Sequence, residues 1–60
     1  MNNIKKLRLK RKITQVDLAK QIEVKQETIS AYESGKAQPS CEALVKMADY
    51  LNTSTDYLLG

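Results

Sequence analysis

The sequence has few residues that provide covalent or metal-based stability. Its 60 residues include one cysteine, Cys41, and no histidine, so no disulfide can form within the chain and no histidine is present to help build a zinc site. A chain this short buries only about 60% of the surface that its unfolded form exposes. Its stability must therefore come from close helix packing or from a partner subunit. A lone cysteine is also typical of a reducing compartment.

The residues that usually support catalysis or membrane insertion are scarce as well. Without histidine or a glycine-rich loop, the chain offers no nucleophile–base pair, metal cluster or phosphate cradle. No apolar run approaches the roughly 20 residues that span a bilayer, and the basic amino terminus lacks the apolar core of a signal peptide. We therefore expect a cytoplasmic, non-enzymatic protein, with no catalytic residues, cofactor, metal, small-molecule ligand or membrane partner.

The net charge of +3 is unevenly distributed along the chain. Several basic residues precede the first acidic residue, Asp17; they are Lys5, Lys6, Arg8, Lys10, Arg11 and Lys12. Such a cluster is typical of a surface that attracts a polyanion such as DNA. A solvated helix face has the same composition, and charge alone does not separate the two interpretations.

The two glycines, the single proline and the lack of sustained alternation favour helices joined by short turns. We predict one all-α domain over residues 1–60, with helices at residues 2–12, 14–22, 26–34, 41–51 and 56–59. In the first helix, Ile4, Leu7 and Arg11 share the inner face and Leu9 points outward. The predicted inner faces of the second and fourth helices consist of Leu18, Ala19 and Ile22, and of Leu44, Met47, Ala48 and Leu51. Thr14 and Ser40 are the expected N-caps.

Residues 14–35 contain the most informative pattern. Two helices of eight or nine residues joined by about three must cross steeply, which is the helix-turn-helix arrangement. At 100° per residue, Ile29 and Tyr32 lie on one side of the third helix, with Glu33 beside them. Small and hydrogen-bonding residues lie on the other side, which favours base reading in a DNA major groove. An ordinary amphipathic surface helix is the alternative.

Five segments in this order resemble the phage repressor and Cro helix-turn-helix family: TQVDLA at 14–19, TISAYESGK at 28–36, Pro39-Ser40, ADYLN at 48–52 and DYLLG at 56–60. The resemblance covers nearly the whole chain. It implies a compact five-helix lambda-repressor-like fold with the second and third helices as the helix-turn-helix. It further implies a sequence-specific transcriptional regulator, a repressor, that binds double-stranded DNA in the nucleoid as a homodimer on a pseudo-palindromic operator.

The resemblance also implies roles for individual residues. Base edges are read by Gln26, Glu27, Ser30 and Ala31, and the DNA backbone is contacted by Gln15, Thr28, Ser34 and Lys36. Glutamine can pair with adenine N6 and N7, and glutamate can accept from cytosine N4, although Glu27 could instead repel wrong sequences. Arg8 and Glu33 correspond to a partly buried ion pair that links the first and third helices.

Four positions depart from the family pattern. Glu23 and Lys12 occupy turn positions that usually hold glycine, so each adopts a positive φ at a cost of about 1 kcal/mol or forces another turn geometry. Lys25 stands where a serine or threonine cap is usual. Cys41 occupies a usually apolar position, where a free cysteine is expected to pack like a small hydrophobic residue.

Two alternatives remain open at this point. The last helix, with Tyr57, Leu58 and Leu59, either forms the dimer surface or closes the core of a single chain. The chain itself could be an antitoxin-like or other protein-interaction module in which DNA binding is secondary. Loss of affinity at high salt would favour the DNA-binding function, because counterions are released when phosphates are neutralised.

Overall fold

The computed structural model describes residues 2–60, which form five α-helices and no strand. The helices are α1 (Ile4–Lys10), α2 (Gln15–Ile22), α3 (Gln26–Ser34), α4 (Cys41–Tyr50) and α5 (Thr55–Leu59). The predicted number and order of helices are confirmed. The first helix is shorter at both ends than predicted, and the fifth begins one residue earlier. None of the helices in this part of the chain has the length and apolarity needed to span a bilayer.

Hydroxyl side chains set the starts of three helices. Thr14, Ser40 and Ser54 each accept a hydrogen bond from the backbone N–H three residues further on, at 3.0 Å for Thr14 and 3.1 Å for the two serines. Each bond satisfies one of the amides that a first helical turn leaves without an intrahelical partner. Lys25, before α3, makes no such bond. The start of α3 therefore depends more on tertiary contacts than the starts of α2, α4 and α5 do.

All five helices contribute to one apolar core. The largest fully buried side chains are Ile4, Leu18, Ile29, Met47, Leu51 and Leu58. The predicted inner faces of the second and fourth helices are confirmed, because all their members are buried. Each large aliphatic side chain that leaves water in this way stabilises the fold by about 1.5–3 kcal/mol. This packing takes the place of a disulfide or a metal.

The prediction for the inner face of α1 is wrong at Arg11, which is exposed. Helix α1 ends at Lys10, and Lys12 follows with a φ of 60°, so the chain turns away before Arg11 can continue the helical stripe. Arg8 lies on the inner side instead and is buried. The expectation that Leu9 points outward is confirmed.

One further expectation about burial, at Cys41, is wrong, and the burial of Leu58 bears on the alternative left open for the last helix. Cys41 does not pack like a core residue, because it is the first residue of α4 and lies on the exposed side of that helix. Leu58 is fully buried in the core, so it is not available to a dimer surface, whereas Tyr57 and Leu59 beside it are exposed. Helix α5 thus closes the core with one side chain and presents two to solvent.

Three turns place a residue other than glycine in the left-handed region: Lys12, Glu23 and Asn52, with φ between 54° and 62°. In each turn, the backbone amide of the next residue donates to the carbonyl five residues before it. The amide after Glu23 donates to the carbonyl of Ala19 at 2.9 Å, and equivalent bonds of 3.0 and 2.9 Å follow Lys12 and Asn52. This is the helix-ending pattern that usually employs glycine. The expected positive φ at Lys12 and Glu23 is therefore confirmed.

Candidate nucleic-acid interface

Helices α2 and α3 form a helix-turn-helix whose second helix is anchored by its inner face. The turn of residues 23–25 joins them, and Ile29 and Tyr32 bury that inner face against the core. The prediction for these two residues is confirmed. Asn2 adds a tether at the carboxyl end of α3, because its side-chain amide donates to the carbonyl of Tyr32 at 2.7 Å. Helix α3 is therefore anchored at its middle and at its carboxyl end.

The opposite side of α3 is polar and accessible. We define the outer face of α3 as Gln26, Glu27, Ser30, Ala31 and Ser34, of which all but the half-buried Ala31 are exposed. An α-helix with its side chains is about 10–12 Å across and the major groove is about 12 Å wide, so one helix fits the groove. The outer face therefore brings small and hydrogen-bonding groups to a surface of suitable size.

A buried ion pair fixes the third helix to the first. Arg8 Nε donates to Glu33 Oε2 at 2.6 Å and Arg8 Nη2 donates to Oε1 at 3.3 Å. The Arg8 side chain is 8% exposed and that of Glu33 is 4% exposed. Arg8 Nη1 also donates to the carbonyl of Ile13 at 2.8 Å. Charges this deeply buried are tolerated because several hydrogen bonds replace the lost water.

Two glutamines extend this pair to the outer face. Gln15 Nε2 donates to Glu33 Oε1 at 2.9 Å, and Gln26 Nε2 donates to Gln15 Oε1 at 3.3 Å. We refer to Glu33, Gln15 and Gln26 as the glutamine relay. A glutamine amide has two N–H donors and one carbonyl acceptor. Gln26 therefore keeps one N–H and its carbonyl oxygen free of other partners among residues 2–60, while its hydrogen bond to Gln15 favours one orientation of the side chain.

The sequence did not predict the contact between Gln15 and Gln26. A signal was present, because these glutamines are the first residues of the two helices of the unit. Their side chains meet because the fold brings the amino-terminal ends of α2 and α3 together. The remaining candidate backbone contacts differ in exposure: Thr28 and Gln15 are half-buried, whereas Ser34 and Lys36 are exposed.

Exposed cations occur on both sides of α3 along the chain. Lys25 and Lys36 lie just before and just after α3, and Arg11 and Lys12 precede the start of α2; all four are exposed. Glu27 is the one carboxylate on the outer face of α3. Cations therefore stand before and after α3 along the chain, where they can attract the phosphates that flank base edges.

Two short helices crossing over a three-residue turn, with an accessible polar face on the second, define a helix-turn-helix protein. The chain belongs to the helix-turn-helix family, whose model matches residues 4–58, and it has the five-helix lambda-repressor-like fold.

Three relatives show similarity over nearly all of the chain. Multiprotein-bridging factor 1c of Arabidopsis thaliana is 46% identical over 57 residues, 95% of this chain and 38% of the relative. The "Uncharacterized HTH-type transcriptional regulator YqaE" of Bacillus subtilis (strain 168) is 35% identical over 95% of this chain and 49% of its own length. The HTH-type transcriptional regulator ImmR of the same bacterium is 35% identical over 95% of this chain and 45% of its own length. The chain thus spans half or less of these relatives.

Proposed function

We propose that this chain binds double-stranded DNA in a sequence-specific manner by inserting α3 into the major groove, as a non-enzymatic transcriptional regulator. The glutamine relay is the observation that carries this proposal. It holds Gln26, on the accessible side of α3, through a chain of hydrogen bonds that begins at a buried ion pair. A surface glutamine without a binding role needs no such support.

Gln26 is the proposed principal base reader. With one N–H held by Gln15, its other N–H and its carbonyl oxygen match the adenine N7 acceptor and N6 donor. Holding the side chain before binding reduces the ordering penalty, which is about 0.5–1.5 kcal/mol for an immobilised flexible side chain. Gln15 retains a second N–H for a DNA phosphate, so one residue would position the base reader and contact the backbone.

The other outer-face residues have narrower roles in this proposal. Glu27 is exposed and acidic, so it accepts from cytosine N4 where a cytosine is present and repels sequences that offer only acceptors. Ser30 hydrogen-bonds to a base edge one turn later, and Ala31 contacts a thymine methyl group. Ser34 Oγ donates to the carbonyl of Ala31 at 3.2 Å, so its hydroxyl proton must turn away from that carbonyl before it can donate to a DNA phosphate.

Thr28, Ser34 and Lys36 are proposed to set the register on the DNA backbone together with Gln15. The exposed Lys36 interacts with phosphate as a point charge and carries no sequence information. Thr28 is half-buried, so it can reach only a phosphate that lies close to the start of α3.

A single nine-residue helix contacts too few bases to select one site in a genome, so we propose a homodimer on a pseudo-palindromic operator. Half-sites one helical turn apart are separated by about 34 Å. The Cα extents of one chain are 23 × 22 × 19 Å, so two copies fit on one side of the duplex without overlap. The exposed Tyr57 and Leu59 of α5 are the proposed dimer contacts. Repression by blocking access to a promoter is the proposed outcome.

A protein-interaction module of the antitoxin type, with secondary DNA binding, is the second candidate. The observation that favours it is the 46% identity to a protein named as a multiprotein-bridging factor. High affinity for a protein partner, unchanged by salt, would support this alternative. Affinity for DNA that falls steeply with salt would support the first, because neutralised phosphates release counterions.

The decisive experiment is selection from a random duplex-DNA pool, sequenced over successive rounds. Enrichment of an inverted repeat is expected for the wild-type chain. The matched control carries Gln26→Ala and Glu27→Ala, which removes two exposed side chains and leaves the buried ion pair intact. Loss of the enriched motif in the control, with unchanged folding by circular dichroism, supports base reading by α3. An unchanged motif contradicts it.

A further inference from the structure

The exposed side of α1 is strongly basic. Lys5, Lys6 and Lys10 surround Leu9, which is 56% exposed. We refer to these four residues as the basic α1 face. None of the three lysines forms an ion pair with another residue of the described chain. Their charges are therefore available to another molecule, and Leu9 offers an aliphatic contact between them.

The exposed side of α4 has the opposite charge and a similar layout. Glu42 and Asp49 flank Val45, which is 51% exposed, and the three lie within about 60° of one another around the helix axis. We refer to them as the acidic α4 face. Neither carboxylate has an ion-pair partner within residues 2–60. The one cation of α4, Lys46, is directed instead toward Glu23, with its Nζ 3.6 Å from Oε1.

We propose that the basic α1 face of one chain binds the acidic α4 face of a second copy. Each face has one exposed aliphatic side chain with charges around it, and the two charges are opposite. Every copy carries both faces. The proposed contact is head-to-tail and continues from copy to copy, in contrast to a closed two-fold dimer in which both faces of each copy pair at once. The outer face of α3 takes no part in it.

The contact is weak, because an exposed ion pair strengthens association by a factor of only about 1.4 to 5. Copies held on neighbouring DNA sites are effectively concentrated to about the millimolar range, where weak contacts become occupied. The consequence is cooperative filling of adjacent sites. That consequence rests on the proposed function, whereas the contact between copies does not and can be tested without DNA.

The test uses charge reversal and sedimentation equilibrium of the DNA-free chain. One variant carries Lys5→Glu and Lys6→Glu, a second carries Glu42→Lys and Asp49→Lys, and a third combines all four changes. The third keeps the wild-type net charge of +3, because two lysines and two acidic residues are exchanged. The matched control carries Lys20→Glu and Lys25→Glu, which gives it the net charge of the first variant with both faces intact. Circular dichroism verifies folding in every case.

Measurements are made at about 0.01 M salt, where charges interact over about 30 Å, and at about 1 M, where they interact over about 3 Å. The chain is measured at about 1 mM, which corresponds to the effective concentration on neighbouring sites. At that concentration we expect the wild type to exceed the mass of a dimer at low salt, and its association constant to fall several-fold at high salt. Each single-face variant should stay monomeric or dimeric, and the combined variant should associate as the wild type does. The Lys20→Glu/Lys25→Glu control should keep most of its association.

Several results would overturn the proposal. A wild type that never exceeds a dimer at low salt excludes head-to-tail contacts. A combined variant that fails to associate, while folded, excludes pairing between these two faces. If the Lys20→Glu/Lys25→Glu control loses as much association as the single-face variants, net charge alone explains the effect. Failure of the chain to bind DNA would leave these sedimentation results unchanged, so the two proposals can fail separately.

Discussion

The two sides of α3 serve different purposes in a helix of only nine residues. On the inner side, Ile29 and Tyr32 are buried, and the Glu33 carboxylate is enclosed with Arg8. On the outer side, Gln26 and Ser30 are exposed. Changes on the inner side should act on stability, and changes on the outer side on recognition. The glutamine relay connects the sides, because Gln15 contacts both Glu33 and Gln26.

The largest expected effect comes from Glu33→Ala on the inner side. The change leaves the guanidinium of Arg8 buried without its partner, which should lower the free energy of unfolding by about 3–5 kcal/mol. A domain of this size has a total stability of only about 3–9 kcal/mol, so the variant should be partly unfolded. Urea unfolding followed by circular dichroism measures the change.

Glu27→Ala is the matched control for this prediction, because it removes the same side chain from the outer side of the same helix. We expect its unfolding free energy to stay within about 0.5 kcal/mol of the wild type. Equal stability of the two variants would show that the buried pair contributes no more than an exposed glutamate.

Gln26→Ala should have the next largest effect, on DNA binding alone. We expect the affinity for the selected operator to fall by about 1–3 kcal/mol and the preference at one base pair to relax. Binding of matched and mismatched duplexes by fluorescence anisotropy measures both quantities. Gln21→Ala, an exposed glutamine at the end of α2, is the control and should change neither. A uniform loss on all duplexes would contradict base reading by Gln26.

Lys36→Ala should weaken binding to matched and mismatched duplexes alike. Loss of one phosphate contact lowers the slope of log affinity against log salt by about 1. The slope is obtained from anisotropy titrations at several salt concentrations. Lys46→Ala, which removes a cation directed at Glu23, is the matched control and should keep the wild-type slope. A sequence-dependent loss at Lys36 would assign that residue to base reading instead.

The smallest effects are expected in the turns that bound α3. Glu23→Gly should stabilise the fold by up to about 1 kcal/mol, because Glu23 has a φ of 62° and glycine adopts that conformation without strain. Gly35→Ala should destabilise it by a similar amount, because Gly35 has a φ of 85°, which alanine adopts only with strain. The added methyl group has open space around it, so a steric clash does not contribute. Thermal unfolding distinguishes the signs. The same sign for both variants would show that backbone strain is not the cause.

Much of the fold could be predicted because the relevant interactions are local. The caps at Thr14 and Ser40 and the inner faces of α2 and α4 follow from hydrogen bonds and helical spacing within a few residues. The limits of such reasoning appear where a helix ends. Spacing alone predicts Arg11 on the inner face, yet the turn at Lys12 ends the helix before Arg11 can continue that face.

The other features required the whole chain to fold. Whether Leu58 or Leu59 enters the core depends on how α5 lies against the rest of the protein, which spacing within a five-residue helix does not define. The hydrogen bond between Gln15 and Gln26 depends on the crossing of α2 and α3. Periodicity and capping are determined by neighbours along the chain, whereas contacts between helices depend on packing geometry. The candidate reading residues could therefore be named from sequence, but the relay that positions Gln26 was established only by tertiary structure.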